Sequence, residues 1–224
     1  GEGITRWGIS TPGRSSSVPF GNIKGDTMNY GEELAYWYLR LNGFFPISNF
    51  VVHRSARVKY TSDVDVLAVR PPHVYEEIGG QADDWDTFLS DNLRFGCHIG
   101  LLCEVKTGAY EEAKLFRPEY LRYTIPRLGL VAPDDVNGVV EALRDSISVE
   151  VGDGAKITKL FVSATEHHNG PYLNRTLEQI ENFLAERVRR YPIEKYADRM
   201  FFPSTTFQLI IGQVHRAIQQ RQVA

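Results

Sequence analysis

Gly100-Leu101-Leu102-Cys103-Glu104-Val105-Lys106-Thr107-Gly108 is the stretch on which the fold turns. Read as a strand with a two-residue repeat, it sends Gly100, Leu102, Glu104 and Lys106 to one face and Leu101, Cys103 and Val105 to the other. A carboxylate and an ammonium therefore emerge together from a strand that begins apolar. Buried charges are costly unless they are paired or hold a metal, so the pair marks either an ion pair on an edge strand or a site. The lead-in Ile99-Gly100-Leu101-Leu102-Cys103 favours a central strand.

Upstream, Ser62-Asp63-Val64-Asp65-Val66-Leu67-Ala68-Val69 reads as a second, mostly apolar strand with acids at its start. Asp63 and Asp65 share a face, so parity does not separate them; Asp65 lies deeper in the apolar run. Before both strands, Gly31-Glu32-Glu33-Leu34-Ala35 lies in a helix expected over residues 29–42, capped by Asn29 and stopped by Gly43. On a helical wheel Leu34, Ala35, Tyr38, Leu39 and Leu41 form one apolar arc. Glu32 sits at its edge beside Leu39, whereas Glu33 falls on the far side near Arg40 and is expected in solvent. Glu32 also occupies the third helical position, where a carboxylate can close a capping box on the Asn29 N–H. A site role and a capping role for Glu32 are compatible.

A helix Glu, a strand Asp and a strand Glu-x-Lys thus follow one another in the contexts Gly-Glu-Glu-Leu-Ala, Asp-Val-Asp-Val-Leu-Ala and Cys-Glu-Val-Lys-Thr-Gly. In this the chain resembles the PD-(D/E)xK nuclease superfamily, the restriction-endonuclease-like fold. The resemblance spans residues 29–108, roughly a third of the chain. Its weight lies in the order of all three elements, since an isolated Glu-x-Lys says almost nothing. It implies Asp65 and Glu104 as oxygen ligands of Mg²⁺ or Mn²⁺, with the Val105 backbone carbonyl as a third. It further implies Lys106 as the group that positions the attacking water and stabilises charge, and Glu32 as a ligand of a second metal or of a metal-bound water. The implied activity is hydrolysis of phosphodiester bonds in DNA, with RNA second. The main rival is a nuclease-like module that binds nucleic acid or assembles without cutting. A hydrolase of smaller phosphoesters is a third class.

Composition agrees with a soluble globular protein: 42% of the 224 residues are hydrophobic and 24% charged. Residues 1–28 are expected to form an arm and residues 29–224 a single domain. No apolar run approaches the roughly 20 residues of a membrane span, and the polar first ten residues do not read as a secretory leader. Cys97 and Cys103 make no disulfide framework, so a reducing cytoplasm is the expected compartment, with Cys103 a small buried hydrophobe.

The net charge of −3 does not advertise a nucleic-acid partner, but its distribution is uneven. Residues 71–93 hold six acids and no Lys or Arg, and without those six the chain would carry +3. This acidic insertion, at about 71–96, is longer than the hairpin the resemblance implies. It could gate the site, exclude duplex, or dock a protein partner or a second copy of the chain. Arginines gather elsewhere, at Arg117, Arg122 and Arg127 and at Arg187, Arg189 and Arg190. The last two are expected to complement a helix dipole.

Further strands are expected over residues 50–54, 63–69, 97–106, 147–151 and 157–163. Helical segments are expected over 83–90, 119–128, 134–144, 174–190 and 207–220. His167-His168-Asn169-Gly170 reads as a surface loop, because adjacent histidines point apart and Asn-Gly marks a turn. These elements fit an α/β fold with a central mixed β-sheet flanked by helices.

Overall fold

Two helical layers enclose a mixed six-stranded sheet in the computed structural model, which describes residues 29–53, 60–75, 82–166, 170–191 and 205–223. The expected arm, the centre of the acidic insertion and His167 to Asn169 lie outside the described residues. In chain order the elements are α1 (Tyr30–Leu41), β1 (Phe45–His53), β2 (Tyr60–Arg70), α2 (Thr87–Leu93), β3 (Ile99–Lys106), α3 (Pro118–Thr124) and α4 (Val136–Arg144). Then come β4 (Ser148–Val151), β5 (Ala155–Ser163), β6 (Leu173–Thr176), α5 (Leu177–Arg190) and α6 (Thr205–Val223).

The sheet order is β1-β2-β3-β5-β4, with β6 also on β5. β2 runs antiparallel to both β1 and β3, and β3 pairs in parallel with β5. The outer edge of β5 is divided. Residues 155–158 pair antiparallel with β4, and residues 160–163 pair in parallel with β6. β3 is central, as its apolar start required, and every residue but Lys106 is buried.

Alternation along the strands separates the two cores. Val66, Ala68, Leu101, Cys103, Val105, Leu160 and Val162 pack under α1, α2, α5 and α6. Leu67, Leu102, Ile157 and Phe161 pack under α3 and α4. Gly100 lies on the second face, where a Cβ would come within 2.8 Å of Ile157 Cδ1 and Leu128 Cδ1. A larger residue there would lift the α3 layer off the sheet.

Several boundaries differ from the sequence reading. β1 begins at Phe45, five residues early, and carries Pro46; an edge strand tolerates a missing N–H. The stretch from Leu173 to Thr176, most of it assigned to the α5 helix from sequence, is instead strand β6, with Thr176 as the helix cap. The Thr176 hydroxyl accepts from the Gln179 N–H at 3.1 Å, and Gln179 Oε1 accepts from the Thr176 N–H at 3.0 Å. This capping box fixes the start of α5. Glu33 is half-buried and accepts a hydrogen bond from the Thr206 hydroxyl of α6, rather than standing in solvent.

The described end of the acidic insertion belongs to the core. Leu89, Leu93 and Phe95 are buried with α1, and Asp86 caps α2 through the Phe88 N–H at 3.0 Å. Two of its acids are internal partners. Asp84 is buried against Arg187 (3.3 Å) and Arg190 (2.9 Å), and Asp86 takes both of its oxygens to Arg175 Nη2 at 2.7 and 2.8 Å. Arg190 therefore answers Asp84, not only the helix dipole. Arg70, fully buried, lies between the Trp85 and Phe95 rings and donates to the Asn42 and Phe95 carbonyls. Burial lowers its pKa to about 10.

Breaking a buried ion pair leaves a charge without its counterpart. Asp84→Ala is expected to lower stability by about 3 kcal/mol, read as a fall in the urea midpoint with an unchanged slope. Arg189→Ala on the same helix, whose partner is the exposed Glu186, should change it by less than about 0.5 kcal/mol.

Candidate active site

The ladder that pairs Val66 with Cys103 ends there, and its register sets Asp65 opposite Glu104. Both side chains leave the sheet on the α3–α4 face. Like charges opposed across an antiparallel pair repel, and here one cation stands between them. Lys106 Nζ lies 3.1 Å from Asp65 Oδ2 and 3.0 Å from Glu104 Oε2. The same Asp65 oxygen accepts the Val105 backbone N–H at 2.6 Å, which locks the aspartate onto the end of β3. Three of the four side chains expected from sequence, Asp65, Glu104 and Lys106, are thus brought together.

The two carboxylates are largely withdrawn from water, with 13% and 10% of their side-chain surfaces exposed, against 33% for Lys106. Burial pushes the Glu104 carboxyl above its ordinary range; Lys106 opposes this, Asp65 adds to it, and the Phe116 N–H offsets part. For Lys106, burial alone would lower the pKa, but the Glu104 and Asp65 charges outweigh it and hold the ammonium above 10.5. Cys103, fully buried behind the pair, is a thiol whose pKa is raised well above normal by burial and by the same two carboxylates.

Glu32 stands apart from this cluster. Its carboxylate accepts from the Asn29 backbone N–H at 3.2 Å and from Asn29 Nδ2, while its own N–H donates to Asn29 Oδ1, completing the capping box. The groups acting on Glu104 and Lys106 do not include it. α1 packs on the opposite face of the sheet, yet its first turn reaches the end of β3. A Cβ on Gly31 would come within 2.6 Å of Thr107 Cγ2 and 3.0 Å of Val105 Cγ1. Glu32 therefore lies near the site without joining its ion pairs.

Phe116 is a member that the sequence did not announce. Its N–H bonds Glu104, and its φ of 48° is a left-handed conformation that costs an aromatic residue of order 1–3 kcal/mol. No local motif foretells this, because the strain is imposed by packing of the residues after β3.

No protein-family model, curated protein or solved structure matches this chain.

Among the described residues no group of three or more His, Cys, Asp or Glu gathers in metal-binding array. Two carboxylates on one cation, Glu104 buried and Asp65 half-buried, nevertheless suit a hard divalent ion, which commonly keeps several waters and takes only one or two protein carboxylates. The raised carboxyl of Glu104 marks a position where more positive charge would be favourable.

Because the folded Glu104 holds its proton more tightly than the unfolded chain does, its ionisation lowers stability as pH rises from about 4.5 through its raised value. Lys106 acts oppositely: its raised pKa adds stability at neutral pH, lost as pH climbs beyond 10.5. Glu104→Gln mimics the protonated acid and is expected to raise the thermal midpoint of metal-free protein at pH 7.5, with a smaller gain at pH 4. An equal or lower midpoint at pH 7.5 would contradict the burial argument.

Proposed function

We propose that this protein is a metal-dependent phosphodiesterase, a nuclease acting on DNA ahead of RNA, built on a restriction-endonuclease-like core. One observation carries the reading: Asp65 and Glu104, from neighbouring strands, converge on Lys106 Nζ at 3.1 and 3.0 Å at the end of a central strand. A structural ion pair needs one carboxylate, and two opposed carboxylates cost stability that a purely structural site has no reason to bear.

Asp65 and Glu104 would hold Mg²⁺ or Mn²⁺ with the Val105 carbonyl as a further oxygen. The ion supplies positive charge to the phosphate oxygens and lowers the pKa of a bound water. Asp65, pinned by the Val105 N–H, keeps its second oxygen oriented. The Phe116 N–H favours the charged form of Glu104, so the site carries a backbone donor toward each carboxylate. Lys106, the most exposed of the three, is a charged donor in this arrangement. It orients the attacking water and stabilises negative charge on the scissile phosphate rather than accepting a proton. Glu32 would act at one remove, as a ligand of a second ion or of a metal-bound water.

Pairing of Asp84 and Asp86 with Arg187, Arg190 and Arg175 supports this reading indirectly. Two acids of what looked like a negatively charged flap are neutralised inside the protein, which lessens its repulsion of a polyanion. No helix among the described residues is long and apolar enough to cross a membrane.

The test is a panel of linear, circular, branched and single-stranded DNA and RNA with Mg²⁺, Mn²⁺ or chelator. Cleavage should require metal, and Lys106→Ala should slow it at least about 100-fold. Glu104→Ala should abolish metal binding by calorimetry. If Lys106→Ala cuts as fast as wild type, its role is wrong. Nucleic-acid binding without any metal-dependent cutting would instead favour the non-catalytic module.

A further inference from the structure

On the same face as Glu104, β5 carries Lys159, paired across β3 with Leu102, one pleat back from Phe161, the partner of Glu104. Lys159 is 2% exposed and lines a cleft of about 450 Å³ between α3, α4 and the lead-in to β6. Its ammonium donates to the Leu143 carbonyl and lies 5.7 Å from the centre of the Phe116 ring. A lysine ammonium has three donors, and among the described residues this is the one hydrogen bond it makes. Asp145 is the acid that acts on it, yet burial still draws its pKa down to about 8.

The cleft's other charges are equal in number, Arg117, Arg122 and Arg144 against Glu112, Glu119 and Glu141, but unequally paired. Arg122 pairs with Glu141 at 3.2 Å, and Glu112 accepts the Tyr172 hydroxyl at 3.2 Å. Arg117 and Arg144, which also line it, have no carboxylate partner among the described residues. A buried ammonium behind two such guanidiniums is a poor structural element, because its charge is left undercompensated. It is a good anion site, since guanidinium groups match phosphate geometry. Phe116 joins the cleft to the candidate active site: its N–H holds Glu104 and its ring lies beside Lys159.

We propose that this cleft binds a phosphate group of the nucleic-acid strand, with Lys159 at its floor and Arg117 and Arg144 contributing from its walls. The inference rests on the nuclease reading for the identity of the strand. The phosphate can be an internal phosphodiester next to the scissile one or a terminal monoester.

Binding is measured by fluorescence anisotropy in chelator, where no cutting occurs, with 5′-phosphorylated and 5′-hydroxyl oligonucleotides. Lys159→Met should weaken binding about tenfold and Arg144→Gln about threefold, whereas Arg189→Gln on the opposite layer should stay within about twofold. Tighter binding of the phosphorylated strand identifies the terminal group; equal binding identifies an internal one. The Lys159 side-chain NMR signal should also titrate at higher pH when inorganic phosphate is added. That measurement decides the matter if Lys159→Met does not fold. The proposal is overturned if the signal ignores phosphate, or if Lys159→Met and Arg144→Gln bind like wild type. It is equally overturned if Arg189→Gln loses as much. Cleavage that depends on Lys106, with binding indifferent to Lys159, would sink this cleft and leave the nuclease standing. Phosphate binding through Lys159 in a protein that cuts nothing would do the reverse.

Discussion

Two carboxylates that face each other across neighbouring antiparallel strands repel unless a cation stands between them, and here that cation is Lys106. The requirement shapes everything around it. β2 and β3 must stay in register to their ends, since a slip of one residue would send Asp65 or Glu104 to the other core. Asp65 is then fastened by the Val105 N–H, and Glu104 by an N–H from a residue in a strained backbone conformation. A protein that merely needed a stable strand end would have an easier solution in apolar residues. Retaining charge at this depth is what separates the cluster from ordinary surface ion pairs.

A second set of charges has a different logic. Asp84 and Asp86 sit among Arg175, Arg187, Arg190, Tyr38 and Tyr191, and each acid meets more than one donor. Together with Arg70 between two aromatic rings, they rivet the segment after β2 onto α1 and α5. Here arginines outnumber the two acids, whereas the Asp65–Glu104–Lys106 cluster carries one more negative than positive charge.

Much of the architecture was legible because it is written in local chemistry. Asn29 followed by Glu32 announced the start of α1, and Gly43, with φ of 81°, its end. Period-2 alternation from Ile99 to Lys106 identified β3 and the face shared by Glu104 and Lys106. Asp65 was placed by its depth in an apolar run. The misses were non-local. β6 is four residues that become a strand only because β5 offers an edge, and in isolation they continue smoothly into the helix. Phe45 to Ser48 joined β1 by pairing with Val66 to Val69, despite a proline that argues against a strand. Arg190 and Asp84 are 106 positions apart, so no window of sequence reveals their bond. The conformation of Phe116 belongs to the same class: it is set by what surrounds it.

The divided border of β5 has one more consequence. On that side the sheet finishes in two four-residue strands of opposite direction, which give an incoming chain no continuous row of amides to copy. On the other side β1 runs for nine residues, with Phe45 and Ile47 open to solvent. Among the described residues, vulnerability to strand-by-strand recruitment is therefore lopsided, and Pro46, which has no N–H to offer, lies on the long border.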